Sequence, residues 1–287
     1  MLYTPVNQFN WSVDNYGGVY GNGTIGTNLP GHANAHTKGA DTAMLVGIAE
    51  DCYGISIGFA GGSTAGATRN AMVDLLIDPA AGVGNAGATW SVQINNLFST
   101  GATFGAGASG YNFYFPLYLK AGTAIGGKHQ SAVASTQNLR CYVRLYGKPS
   151  RPELLKIGSK VQTLGANTAT TLGVALTPGS GVLGSYSATL GTTNFDAWWW
   201  QVGVGCTDTV QDAGGYMFDV AANATSKIIL AEAVGFQCVG TSEQSGKEAY
   251  GSREPIRELA SGQDIYVRAA CQSGPNSGMS AVVYAVS

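Results

Sequence analysis

Leu119-Lys120-Ala121-Gly122-Thr123-Ala124-Ile125 returns later in the chain as Leu259-Ala260-Ser261-Gly262-Gln263-Asp264-Ile265, nearly half of the 287 residues further on. A proline precedes each copy (Pro116, Pro255) and a Gln-Ser pair follows each (Gln130-Ser131, Gln272-Ser273). Looser matches share the offset: Tyr146 with Tyr284, and Leu45-Val46-Gly47 with Leu190-Gly191. Self-similarity at one fixed offset is the mark of a repeated structural unit. The shared Leu-x-x-Gly-x-x-Ile predicts a turn whose glycine takes positive φ and leads into the penultimate strand of each unit.

Outward from this pair the chain alternates. In Tyr53-Gly54-Ile55-Ser56-Ile57-Gly58-Phe59 the odd positions are large and the even ones small, the pattern of a strand with one buried face. Further strands are expected over 71–77, 90–97, 112–119, 132–134 and 139–146. In the second half they are expected over 168–176, 185–190, 197–204, 216–221, 228–239, 264–270 and 280–286. Gly, Asn, Ser and Pro clusters separate them, and the only helical candidate is a turn or two over Pro152–Ile157. Many short strands at this spacing predict an all-β chain of two tandem antiparallel β-sandwich modules, jelly-roll-like. Trp198, Trp200, Val202 and Val204 share one strand face, the counterpart of Tyr53-Ile55-Ile57-Phe59, and Trp199 lies on the other.

The expected organisation has four parts. Residues 1–38, glycine-rich over Tyr16–Gly26, are an extended N-terminal arm, because that many glycines suit neither a helix nor a central strand. Residues 39–147 are the first module and 161–287 the second. The linker, 148–160, begins with Lys148-Pro149-Ser150-Arg151-Pro152-Glu153. A chain of this length is near the size at which one core stops growing and domains divide.

Charged residues are 11% of the chain, 45% are hydrophobic, and there are 42 glycines. So sparse a charge favours association over isolation, and a homo-oligomer is expected. A net charge of −2 offers no attraction to phosphates, so nucleic acid is not an expected partner. No run reaches the length of a membrane span or of a secretory signal, so neither membrane insertion nor export is expected. Five cysteines without CxxC spacing read as buried thiols.

Several motifs invite a chemical reading. Gly54-Ile55-Ser56-Ile57-Gly58 fits GxSxG, with Asp74 or Asp78 and His129 following in triad order, but the strand–turn–helix context of a nucleophile elbow is lacking. Two GxGxxG matches, from Gly21 and from Gly105, open no helix and so provide no dipole for a pyrophosphate. His32 and His36 stand beside Pro30-Gly31, where the helical spacing that a metal pair needs is not expected. Asp74, Asp78 and Asp219 read as solvated or loop-capping carboxylates. A charge cluster from Glu243 to Glu258 reads as an exposed loop and edge. No catalytic residue, cofactor or metal is therefore expected. Trp199, Tyr16, Tyr20 and Tyr111 remain as contacts for a glycan or an interface.

Phe115-Pro116-Leu117-Tyr118-Leu119-Lys120-Ala121-Gly122-Thr123-Ala124-Ile125 and the segment Pro255–Ser273, together with Thr37-Lys38-Gly39-Ala40, resemble β-rich virion proteins of tailed bacteriophages, of head-decoration or tail and fibre type. The resemblance covers most of both modules and brings no catalytic residues. It implies a non-enzymatic structural subunit, made in the host cytoplasm and located in the virion, with other virion proteins as partners. The alternative is a carbohydrate- or receptor-binding β-sandwich that takes host-surface glycans.

Overall fold

The computed structural model describes residues 9–10, 12–15, 26–60, 69–101, 112–131, 139–150, 156–165, 174–186, 188–206, 214–225, 227–238, 258–272 and 279–287. The described residues are all-β. In the first half the strands are β1 (Ser12–Asp14), β2 (Thr27–Leu29), β3 (Thr42–Leu45), β4 (Gly54–Ala60), β5 (Arg69–Asp78), β6 (Ser91–Gly101), β7 (Asn112–Phe115), β8 (Ala124–Ser131) and β9 (Leu139–Tyr146). In the second half they are β10 (Val161–Leu164), β11 (Val174–Leu176), β12 (Gly179–Ser180), β13 (Ala188–Thr192), β14 (Trp199–Cys206), β15 (Gly214–Ala222), β16 (Ile228–Cys238), β17 (Asp264–Cys271) and β18 (Met279–Val286).

They form four sheets. β9 is flanked by β4 on one side and by β1 and β2 on the other, with β7 beyond β4; the second sheet runs β3-β8-β5-β6. In the later half, β18 is flanked by β14 and by β10 and β11, and the remaining sheet runs β13-β17-β15-β16. Every ladder is antiparallel except the short β12–β17 pairing.

Alternation explains which face each strand buries. In β9, Leu139, Cys141, Val143 and Leu145 are buried while Arg140, Tyr142, Arg144 and Tyr146 between them are half-exposed. These inner residues meet Ile55, Ile57 and Phe59 of β4 and, from the facing sheet, Val73, Leu75, Ile94 and Ile125. A second core gathers Trp200 and Val202 of β14 with Phe218, Val220, Ile265 and Val267.

β18 departs from alternation, since all six residues from Ala281 to Val286 are buried. Ala281, Val283 and Ala285 belong to the second core, whereas Val282, Tyr284 and Val286 belong to the first. Its sheet is thus covered on both faces, and the first core draws on the end of the chain. Trp200 is in the second core as its alternation predicts, while Trp198 and Trp199 pack against the first.

The turn after Leu119 is built like the turn after Leu259. Gly122 and Gly262 have φ of 87° and 81°. Gly122 N–H donates to Ile48 O at 2.8 Å, and Gly262 N–H donates to Thr193 O at 2.7 Å. Asp51 and Asp196 each accept from the following turn, from Ala121 N–H and Ser261 N–H, both at 2.8 Å. Leu119 bridges Cys52, and Leu259 bridges Ala197. Through Tyr53 N–H to Tyr146 O and Trp198 N–H to Val286 O, Tyr53 matches Trp198. Ile55, opposite Leu145, therefore matches Trp200, opposite Ala285.

Three expectations meet the described residues only in part. The strand expected at 132–134 lies outside the described residues, and β8 precedes it at Ala124–Ser131; Gly126 and Gly127 hide it from a propensity reading. Of the expected arm, the described parts lie along the chain's own sheet: β1 and β2 pair with β9, and Phe9 bridges Pro149. The expected linker is fixed where it is described, because Pro149 is buried and buried Gly158 bridges Leu117. The proposed helical turn at 152–157 lies mostly outside the described residues.

Candidate functional site

Two features of the fold are candidate sites: the seam between the β18 sheet and the first core, which holds the Trp198 and Trp199 that sequence singled out, and a groove beside it. At the seam the Tyr284 ring stands edge-on to Phe113 and Phe115 of β7, with centroids 5.4 and 6.0 Å away. Its hydroxyl donates to Asn96 O of β6 at 2.8 Å. Gln201 of β14 donates from Nε2 to Tyr114 O. Trp199 meets the Tyr114 ring edge-on at 6.1 Å and Trp198 at 6.4 Å, and Lys156 Nζ lies 5.2 Å from the Trp198 ring. Trp199 is thus half-buried, with its indole N–H enclosed and unpartnered. Tyr16, Tyr20 and Tyr111, the other expected contacts, lie outside the described residues.

The groove runs between two sheet edges. β6 supplies Val92, Gln93 and Asn95 on one wall, Ser159 to Thr163 form the other, and Asn194 and Phe195 close one end. It encloses about 560 Å³. Side chains fix the walls: Thr163 Oγ1 donates to Asn95 O at 2.7 Å, and Gln162 donates to Thr192 O and accepts from Asn194 N–H, both at 2.9 Å. No sequence signal marks it, because its walls come from segments some seventy residues apart, and no polar position there stands out within its own segment.

Buried polar groups form a second class. Lys38 Nζ reaches Asp74 Oδ1 and Asn96 Oδ1, each at 2.7 Å, and Met72 O at 3.3 Å. Burial lowers the Lys38 pKa, against the pull of Asp74. Asp219 takes two hydrogen bonds from Arg268, at 2.8 and 2.6 Å, and the Arg268 guanidinium lies 4.6 Å from the Tyr186 ring. Its hydrogen bond to Asp219 raises the Arg268 pKa. Asp74 and Asp219 are therefore buried and paired rather than solvated. The signal was present in the sequence: each aspartate is flanked by apolar residues on both sides of its strand. Asp78 does cap a loop, accepting from Ala80, Ala88 and Thr89 N–H groups, and those of Thr89 and Ala88 hold its pKa below the usual range.

The GxSxG serine makes no triad from the residues that follow it in order. Ser56 lies on β4 and shares a 3.1 Å hydrogen bond with Tyr146 Oη, while His129 and the aspartates belong to the other sheet. His129 is buried beside Lys38, and burial pushes its pKa down to about 4. Among the described residues, no three His, Cys, Asp or Glu side chains gather as a metal set. His32 Nδ1 accepts the Asn34 N–H instead. Cys52 and Cys141 are buried free thiols, buried Cys271 donates from Sγ to Gly179 O at 3.6 Å, and burial pushes Cys52 up to about 11. Of the charge cluster from 243 to 258, Glu258 is described: it is exposed and paired with Lys156.

No protein-family model matches the chain, and no curated protein does.

Proposed function

We propose that the protein is a non-enzymatic structural subunit of a bacteriophage virion, of capsid-decoration or tail and fibre type, built of two tandem jelly-roll modules that assemble into a homo-oligomer. One observation carries the reading, the strand order. With β1 and β2 sharing the first position, the strands from β3 to β9 fill the second to eighth positions, and the sheets pair 1-8-3-6 and 2-7-4-5. That order supports the jelly-roll reading, since a jelly roll joins its eight strands as two Greek keys, an architecture used in capsid and lectin domains. Residues 161–286 repeat the order, with β10 and β11 first, β13 second, β14 to β16 third to fifth, and β17 and β18 seventh and eighth. No strand among the described residues takes the sixth position, and residues 239–257 lie outside them.

Support for assembly comes from composition. A chain with 11% charged residues has little repulsion to keep copies apart, and the resemblance in its turn segments is to virion proteins. The N-terminal segment would serve as the arm, reaching neighbouring subunits from the part beyond β1. Light scattering on the purified chain and mass spectrometry of purified particles test the reading. A chain that stays monomeric at high concentration and is missing from particles overturns it.

The second reading, a carbohydrate- or receptor-binding β-sandwich, is favoured by the polar groove between β6 and β10. It is compatible with a place on a virion surface, since loops and seams of a sandwich can carry sites that the fold does not dictate.

A further inference from the structure

We propose that the groove between β6 and β10 binds an acidic oligosaccharide, with Lys160 taking the sugar carboxylate and Asn95 and Asn194 the ring hydroxyls. The inference rests on the second reading above and names its site and ligand class.

The lining decides the ligand. It holds three amide side chains besides Gln162, two hydroxyls and one ammonium, and no carboxylate. An amide both donates and accepts, which suits the paired donor and acceptor of vicinal sugar hydroxyls. Gln162 is held in place by backbone partners, whereas the side-chain amides of Asn95 and Asn194 meet no hydrogen-bond partner among the described residues. Phe195, half-buried against the second core, and Val92, 44% exposed, offer two apolar patches for sugar C–H faces. The volume of about 560 Å³ lies within the roughly 300–1,000 Å³ of small-ligand clefts.

Lys160 sets the charge preference. Its side chain is exposed, and its backbone is pinned because Ser287 N–H donates to Lys160 O at 3.1 Å. One cation with no opposing carboxylate in the groove favours a uronic-acid type sugar over a neutral or amino sugar. A single lysine is too little for a polyphosphate chain, whose binding scales with the number of charges neutralised.

The edges argue against an extended peptide. A peptide that adds to a sheet edge needs free main-chain groups, as in strand addition. Here Asn95 O accepts from Thr163, Asn96 O from Tyr284, and Ser159 O from Gln93, so the carbonyls facing the seam are already occupied.

Calorimetric titration of the full chain with α-1,4-linked trigalacturonic acid and with its neutral galactose counterpart tests the proposal. The acidic trimer is expected to bind, and the neutral one to bind about tenfold more weakly, the size of one charge-assisted hydrogen bond. Lys160→Gln should bring the acidic trimer down to the neutral level. Asn194→Ala should weaken both trimers. Both Lys160 and Asn194 are exposed, so circular dichroism of these variants should match the parent. Absence of binding to either trimer, binding that survives Lys160→Gln and Asn194→Ala together, or displacement of the trimer by a neutral decapeptide overturns the site. A chain found in particles that binds neither trimer loses the groove and keeps the subunit reading; a trimer-binding monomer does the reverse.

Discussion

Asp74 in β5 and Asp219 in β15 occupy one position in two sheets. Each is a buried carboxylate at the point where the ladder to the next strand slips, between Val73 and Leu75 in one sheet and between Phe218 and Val220 in the other. Opposite them on the other neighbour stand Lys128 and Arg268. A bulge leaves a backbone group without its ladder partner, and at the first site Asp74 Oδ1 takes it up, accepting the N–H of Asn96 at 2.8 Å where Asn96 has φ of 51°. The cation differs between the sites: Lys38, from the N-terminal segment, pairs with Asp74, whereas Arg268, the cross-strand neighbour, pairs with Asp219.

That difference predicts unequal losses. Asp74→Ala leaves the Lys38 ammonium buried without its carboxylate and should cost about 3–5 kcal/mol. Asp219→Ala should cost less, about 1–3 kcal/mol, because Arg268 is a quarter exposed and keeps its stacking on Tyr186. Urea unfolding of both variants measures this. Equal losses would show that exposure and stacking at Arg268 compensate nothing.

The matched turns predict matched effects. At Gly262 an added Cβ meets open space, and at Gly122 it meets only ordinary contacts, so alanine at either is opposed by positive φ alone. Gly122→Ala and Gly262→Ala should each cost about 1–2 kcal/mol. Gly58→Ala should cost more, since its Cβ would overlap the Tyr142 ring, which lies across the glycine. Thermal midpoints that rank Gly58→Ala as mildest would contradict the described packing.

How far the sequence reached follows from the same residues. Period-2 alternation located β9 and β17 because each has one buried face, and Leu-x-x-Gly located the turns because only glycine takes their φ without strain. The seam was written in Ala281-Val282-Val283-Tyr284-Ala285-Val286, an unbroken apolar run that alternation cannot explain. Such a run means two buried faces, so this strand belongs to both cores. Asp74 and Asp219 stood among apolar residues, and burial with a paired cation was the reading that their neighbours required. The groove was not legible, since its chemistry exists only once β6 and β10 are brought side by side.

His129 gives the fold a pH dependence with a definite sign. Its folded pKa is about 4, against about 6.5 when exposed in the unfolded chain. As pH falls from 6.5 towards 4, the unfolded chain takes up a proton that the folded one refuses, so stability present at neutral pH declines across that window. The full effect of such a shift is about 3 kcal/mol. His129→Gln should flatten this part of a stability profile recorded from about pH 7.5 to 4.5, leaving the steeper carboxylate losses at lower pH in place. An unchanged slope in the variant would mean that the imidazole takes up its proton while folded.

Tyr284 decides whether the two halves melt together. It is fully buried among Phe113 and Phe115, yet it belongs to a strand whose ladder partners are β10, β11 and β14. Any opening of the first core at this seam therefore exposes a residue held by the second sheet, and the intact chain should unfold in one calorimetric transition. Tyr284→Phe removes only the hydroxyl bond to Asn96 O, for about 1–2 kcal/mol, and should keep that single transition. Tyr284→Ala opens a cavity at the seam, for about 3–5 kcal/mol, and takes away a large, fully buried side chain that links the two cores. The two cores then retain their own apolar contacts and lose the link between them, so the expected trace splits into two transitions. A single transition in Tyr284→Ala would place the coupling in Val282, Val286 and Trp199, which share the same face.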